Sequence, residues 1–373
     1  MTSTRPFQIG GVCGSCATGL WIYALPSLVP ALADDLHRSN SVAAGLVSLF
    51  ALSSFIVTPL TAIVFYRLDI ARLLFVAAAT LSVVAFAGAL SHALWELSFV
   101  AVTAGAAAGV VTIGLYSVGS RLPTAARILY LFQAGSLASL VIGTPIFLSL
   151  PASEQPRAFF ITVALLAALS GVMIGRHDGN LEFAASRVQV GRVLLLTSVT
   201  FITTTAGFAV YPFLPQLVGG GWHPASVYAL FGIAATAATF AAIVRPPRSM
   251  ATPLVLLALI ALSMTLLALD APPLLHAFAV AGWASAGFAF LVPVRLALAN
   301  AGGRGRLIIL ALNASATYIG IACGTAVGWR VAASGIQNIP AIAAPMIVLS
   351  ALIWGAAVYR VGIVAEAPNV LSR

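Results

Sequence analysis

Side chains that can hydrogen-bond or stack recur at helical spacing along this sequence. Residues three, four and seven positions apart share one face of a helix, and hydroxyls, amides and aromatic rings follow that spacing. Such groups bind a small organic solute of modest polarity, because an amide, phenol or indole needs a partner once it leaves water. The candidate binding residues are Thr18, Trp21, Thr112, Tyr116, Gln133, Thr204, Tyr211, Trp283, Phe290, Asn313 and Thr317.

The same faces have a second interpretation, which is helix packing. Small residues and hydroxyls let membrane helices approach closely and hydrogen-bond to each other, and Gly105, Gly109 and Gly324 lie on these faces. Packing is the simpler interpretation for any single glycine or threonine. For the amides of Gln133 and Asn313, packing and solute binding both stay open.

Two thiols offer a different chemistry. Cys13 and Cys16 form a C-x-x-C within an apolar stretch, and soft metals such as copper prefer thiolate and thioether ligands. No histidine or methionine lies close to them in sequence. We therefore predict two small core residues and no metal, and keep a soft-metal transporter as an alternative.

The charged residues do not suggest catalysis. Only 7% of the 373 residues are charged, and none of the nine acidic residues lies near the centre of an apolar stretch. No phosphate-binding G-x-x-x-x-G-K-[ST] motif is present, and the basic residues form no patch that would suit nucleic acid. We predict that the chain is not an enzyme, has no catalytic residues, needs no cofactor and binds no nucleic acid.

Lipid must surround most of this chain. Apolar residues make up 61% of it, whereas a soluble domain carries roughly 25% charged residues to face water. A membrane-spanning helix needs about 20 mostly apolar residues. Runs of this kind predict an all-α membrane protein with twelve transmembrane helices at 8–32, 41–65, 71–91, 95–119, 127–150, 157–175, 193–217, 225–244, 251–269, 274–298, 306–329 and 339–361.

The arginines predict the orientation of these helices. Short cytoplasmic loops accumulate positive charge, and with a cytoplasmic N-terminus only Arg38, Arg157 and Arg330 fall on the outer side. We therefore expect both termini in the cytoplasm. Arg295, near the inner end of the tenth predicted helix, fits a positively charged membrane anchor, with attraction of an anion as the alternative.

The two halves of the sequence resemble each other. A polar linker at 177–192 separates six helices in 1–176 from six in 193–373. The first helix ends ALPSLVPAL and the seventh ends FLPQLVGGG, which places Pro26 opposite Pro215. A parallel repeat of six helices is the layout of transporters whose substrate site lies near the midplane between the halves.

The stretch YALPSLVPALADDLHRSNSVAAGLVSLFALSSFIVTPL resembles the first two helices of the major facilitator superfamily, in particular its twelve-helix drug and metabolite efflux branch. It has that branch's proline-containing helix end, short a-a-d-L loop with a serine, and G-x-L-v-S. The resemblance implies two six-helix bundles around a cavity lined by helices 1, 4, 7 and 10, beside helices 2, 5, 8 and 11. The polar faces described above occur on those helices.

The cytoplasmic motifs depart from the family pattern. Where the family usually has G-x-L-a-D-R-x-G-R-[RK], this chain reads TAIVFYRLDIAR. The resemblance assigns gating to Arg67, Asp69 and Arg72, with a simple loop ion pair as the alternative. Ala101 occupies the arginine position of the R-x-x-x-G-x-x-x-G motif in proton-coupled members, so the coupling ion stays open.

These observations lead to one functional expectation. We expect a monomeric, multi-pass protein of the cell (inner) membrane that moves a small organic solute outward by secondary active transport and alternating access. A coupling proton is its candidate partner besides solute and lipid. An uptake permease of the same fold and the soft-metal transporter are the alternatives.

Overall fold

The chain folds into long helices, as the sequence predicts. The computed structural model describes residues 5–64, 70–119, 125–174, 190–244, 251–302 and 306–361, and within these ranges it contains helices and no strand. We number the helices α1 (residues 5–35, with interruptions), α2 (Asn40–Val64), α3 (Ile70–Gly88), α4 (Leu94–Gly119), α5 (125–148, interrupted), α6 (Gln155–Ile174), α7 (190–218, interrupted), α8 (Pro224–Val244), α9 (Thr252–Ala268), α10 (Pro273–Gly302), α11 (Arg306–Ala332) and α12 (Asn338–Val361).

Most of these helices can cross a membrane. In the described residues, eleven are long and apolar enough to do so, and α9 is apolar but has 17 residues. Large apolar side chains such as Trp95, Phe99 and Leu165 are about two-thirds exposed or more, which is stable only where lipid covers them. The all-α membrane fold is confirmed, whereas the count of twelve spans and the cytoplasmic termini stay predictions.

Prolines interrupt two helices in the same way. A proline lacks an N–H and its ring clashes with the carbonyl four residues earlier. Ahead of Pro26, α1 widens into a π turn at Leu20–Ala24, and ahead of Pro145, α5 does so at Ser139–Gly143. The two π turns pack against each other. Since π turns often occur at functional sites, the side chains of the α1 turn, which include Tyr23, are of special interest.

The same helix pairs recur in the two halves of the chain. In the first half α1 packs on α5 and α6, α4 packs on α2 and α3, and α3 packs on α6. In the second half α7 packs on α11 and α12, α10 packs on α8 and α9, and α9 packs on α12. Between the halves, α2 packs on α11 and α5 on α8. This pattern supports the predicted division into 1–176 and 193–373, which stays a prediction, and most of the linker lies outside the described residues.

Glycines permit the closest approaches between these helices. A Cβ atom on Gly105 of α4 would overlap the backbone carbonyl of Phe50 in α2, and one on Gly324 of α11 would overlap that of Thr205 in α7. The packing interpretation of these two glycines is confirmed.

Replacing Gly105 with alanine should destabilise the protein more than replacing Gly45. A Cβ on Gly105 must push α4 away from α2, which costs about 1–3 kcal/mol as for other overpacked sites. Gly45 of α2 has no atom within 4 Å of the corresponding position, so Gly45→Ala should leave stability unchanged or raise it slightly. Thermal unfolding of the purified variants in detergent measures the difference, and equal midpoints would contradict the packing argument.

Candidate functional site

Polar groups from four helices meet around Arg295. Its Nη1 atom, on α10, donates a hydrogen bond of 2.6 Å to Oε1 of Gln133 on α5. Its guanidinium carbon lies 5.8 Å from the ring centre of Tyr116 on α4, within the range of a cation–π contact. One turn away on α4, the hydroxyl of Thr112 shares a 3.0 Å hydrogen bond with the Tyr318 hydroxyl of α11.

A fifth helix adds Tyr23, which projects from the π turn of α1. Its side chain lies within electrostatic range of Arg295, Tyr116 and Tyr318. On its other side the Tyr23 ring lies about 6 Å from the rings of Phe208 on α7 and of Phe288 on α10. We call the polar group the Arg295 cluster, and it consists of Tyr23, Thr112, Tyr116, Gln133, Arg295 and Tyr318.

The cluster joins helices of both halves and lies toward one end of α10. Arg295 is 22 residues after the start of α10 and seven before its end at Gly302. At about 1.5 Å per residue, these are about 33 Å and about 10 Å along the helix axis. The α10 helix continues beyond the predicted end at 298, and Arg295 contacts α4 and α5. Arg295 is the last residue of the apolar span Pro273–Arg295, so the membrane anchor stays a prediction beside its contacts with α4 and α5.

The positive charge of Arg295 has no carboxylate partner in the described part of the chain. Arginine stays protonated in proteins, and Gln133 and Tyr116, which contact its guanidinium, are uncharged. The described carboxylates all lie at the opposite ends of the helices, where α1 and α9 end and α4 and α6 begin: Asp34, Asp35, Glu96, Glu154 and Asp270. The cluster therefore combines a net positive charge with hydroxyl, amide and aromatic groups.

Four predicted site residues make polar or close contacts within or between α1, α7 and α11. The Thr200 hydroxyl of α7 donates a 2.7 Å hydrogen bond to Oδ1 of Asn313 on α11. Thr204 packs against Gly320 across the same helix pair. Thr317 and Thr18 donate to carbonyls of their own helices. These contacts stabilise helix packing, and a role of these residues in solute binding stays a prediction.

Two predicted aromatic residues lie in the protein core. Trp21 is 1% exposed, and its ring stacks on Phe50 with centres 4.9 Å apart. Phe290 is equally buried and its ring lies 5.8 Å from that of Trp354 on α12. The structure places neither ring in the Arg295 cluster.

The remaining two predicted aromatic residues, Tyr211 and Trp283, pack on Phe231 of α8, with ring centres 5.4 and 4.9 Å away. The Tyr211 ring also lies 6.3 Å from that of Tyr23. They belong to an aromatic layer next to the cluster, made up of Phe208, Tyr211, Tyr228, Phe231, Trp283 and Phe288. Tyr211 and Trp283 therefore lie in the layer next to the cluster, and their role in solute binding stays a prediction.

The structure describes one of the three predicted gating residues and both cysteines of the C-x-x-C. Arg67 and Asp69 lie outside the described residues, and Arg72 is exposed near the start of α3. Cys13 and Cys16 are partly buried on α1. Across the described ranges, no group of three or more His, Cys, Asp or Glu side chains comes together to hold a metal ion.

Three members of the cluster were not among the predicted binding residues: Tyr23, Arg295 and Tyr318. A signal for Arg295 was present, because the uncharged run LALANAG follows it and lets α10 continue. Tyr318 follows Thr317 directly and Tyr23 lies two residues after Trp21. Since each residue turns an α-helix by about 100°, Tyr318 lies about a quarter of a turn from Thr317, and Tyr23 lies nearly opposite Trp21.

No family model matches this sequence, and no curated protein matches it. Its fold nevertheless recurs among solved structures. The crystal structure of the human organic anion transporter MFSD10 (TETRAN) matches with a TM-score of 0.73 at 15% sequence identity, covering 94% of this chain and 98% of that chain. At this identity the likeness establishes the fold.

The hydrogen bond between Thr112 and Tyr318 should be measurable by a double-mutant cycle. Thr112→Val and Tyr318→Phe each remove one hydroxyl, so their effects on the free energy of unfolding should not add. The expected coupling is about 0.6 kcal/mol, and at most about 1.7, as for other hydrogen bonds between membrane helices. Thr103→Val is the control, since Thr103 of α4 bonds only a carbonyl of its own helix, and additivity for Thr112→Val would contradict the contact.

Proposed function

We propose that this chain, whose fold is that of the major facilitator transporters, is a secondary active transporter that moves a small organic solute by alternating access. The Arg295 cluster is the observation that carries the proposal. Its members come from α1, α4 and α5 in the first half and from α10 and α11 in the second. A site that both halves share changes shape when the halves rock against each other, as alternating access requires.

The chemistry of the cluster suits an organic solute. Ligand sites are usually mainly apolar and aromatic, with a few polar groups that fix orientation. The cluster combines three phenol rings with one guanidinium, one amide and one threonine hydroxyl. That a human organic anion transporter has the same fold supports the transport of small organic molecules. We assign solute binding first to Thr112, Tyr116 and Gln133 among the residues predicted from sequence.

Alternating access requires contacts that open in turn on the two sides of the site. On one side, Tyr23 of α1 contacts Phe208 and Tyr211 of α7 and Phe288 of α10. Nearer the other end of α10, the bond from Arg295 to Gln133 joins the halves. We infer that these aromatic contacts separate when the site opens to the side of the membrane on which α1 ends. The bond to Gln133 breaks when the site opens toward the opposite side.

The proposal includes three finer points that the sequence suggests. The two six-helix halves rock as a monomer in the cell membrane, and the loop with Arg67, Asp69 and Arg72 acts as the cytoplasmic latch. The direction is export, with a proton as the coupling ion. The placement of this latch on the cytoplasmic side is supported by the arginine asymmetry of the loops, since positive charge favours that side of the membrane.

Transport should be directly measurable once a solute is known. A thermal-shift screen of the purified protein finds candidates, because a ligand that binds only the folded state raises the melting temperature. If the protein exports, everted membrane vesicles that contain it should accumulate the solute when a pH gradient is imposed. Collapsing the gradient should stop accumulation if a proton is coupled.

Gln133→Leu should slow this accumulation by about tenfold or more, since one hydrogen bond to a charged group is lost. Thr103→Val is the matched control on the same half and should transport normally. Accumulation in right-side-out vesicles instead would show an uptake permease. Absence of transport in both orientations for every stabilising compound would overturn the proposal.

A further inference from the structure

The Arg295 cluster contains a positive charge that no described carboxylate balances, and we propose that its solute is an organic anion that pairs with Arg295. The inference rests on the proposed transport function and names the substrate class of that site. The anion carries a single carboxylate or sulfonate on an apolar, preferably aromatic, body.

The hydrogen bonding of Arg295 leaves one edge of the guanidinium available. Arginine has N–H donors along two edges, and Nη1 is the atom that bonds Gln133. The edge formed by Nε and Nη2 makes no hydrogen bond within the described ranges of the chain. Two parallel N–H groups on such an edge match the two oxygens of a carboxylate. The amide of Gln133 therefore orients the guanidinium and leaves its anion-binding edge open.

The location of the charge favours an anion over other solutes. A charge between membrane helices is costly, because water and counter-ions are largely excluded. Gln133 and Tyr116 reduce this cost without cancelling the charge, and the described carboxylates lie at the opposite ends of the helices. An entering anion supplies a counter-charge that none of the described carboxylates supplies, whereas a cation meets repulsion at the same point.

The side chains near Arg295 indicate the charge and the apolar body of the solute. The rings of Tyr23 and Tyr116 are partly exposed, so they offer aromatic surface beside the guanidinium. The Tyr318 hydroxyl already bonds Thr112. One arginine and no second cation in the cluster fit a single negative charge. An aryl carboxylate meets these conditions with its head on Arg295 and its ring against the tyrosines.

The competing explanation is that Arg295 only holds α10 against α5. Such a packing role predicts that Arg295 variants lose stability, but that the wild-type protein shows no preference for charge in its ligands. A binding role predicts that the preference for anions depends on Arg295. Ligand charge therefore separates the two explanations.

The test uses the full-length protein in detergent. A panel of aryl and alkyl carboxylates and sulfonates, from benzoate upward, is titrated beside the matching neutral amides, and the melting temperature gives the apparent affinity. The best anions should bind at least about tenfold more tightly than their amides, because hydrogen bonds to charged groups are the stronger ones. Arg295→Gln should abolish this preference, and Arg295→Lys should weaken it.

The control variant is Arg157→Gln, which removes the same charge from an exposed position on α6 and should keep the preference. If amides bind the wild-type protein as tightly as the anions, or if folded Arg295→Gln still prefers anions, the proposal is wrong. If Arg295→Gln does not fold, Arg295→Lys decides, and an undiminished preference for anions in that variant also overturns the proposal.

Vesicle transport of the same panel separates this inference from the transport function. Transport of the neutral amides with no anion carried would support the transport function and contradict the anion site. Anions that bind through Arg295 but are transported in neither vesicle orientation would support the anion site and contradict the transport function. Arg295-dependent transport of anions supports both.

Discussion

The hydrogen bond between Arg295 and Gln133 places a positive charge where two halves of a membrane protein meet. Burying a charge between helices is costly unless neighbouring groups solvate it, and here an amide, a phenol ring and nearby hydroxyls do so without neutralising it. This constraint determines which residues can surround the site. The helices that supply them, α1, α4, α5, α10 and α11, must be held close enough together to share one arginine.

Backbone irregularities and small residues bring these helices together. Pro26 and Pro145 open π turns in α1 and α5, and the two turns pack on each other, with Tyr23 projecting from the first. Gly105 lets α4 lie against α2, so that the α4 face with Thr112 and Tyr116 points to the centre. Sequence features far from the cluster thus position the cluster.

The sequence predicted the helices well and the contacts between them only in part. Apolar runs determine helix bounds because lipid requires an unbroken length of apolar residues, and the largest deviation is at the end of α10, predicted at 298 and found at Gly302. The residues on one face of a helix, however, do not determine which neighbouring helix that face contacts. Trp21 and Phe290 therefore lie on the predicted polar faces but pack in the core. A charge near a predicted helix end likewise does not reveal that Arg295 contacts Gln133 and Tyr116.

The choice of an amide as the partner of Arg295 suits a site that must change. A carboxylate at position 133 would form an ion pair across the two halves, cancel the charge and, once partly buried, be costly to break. The neutral Oε1 of Gln133 holds the guanidinium more weakly, so a solute anion can add to it or replace it, and the halves can part without leaving two unpaired charges. Weak fixation of one buried charge therefore serves both recognition and movement.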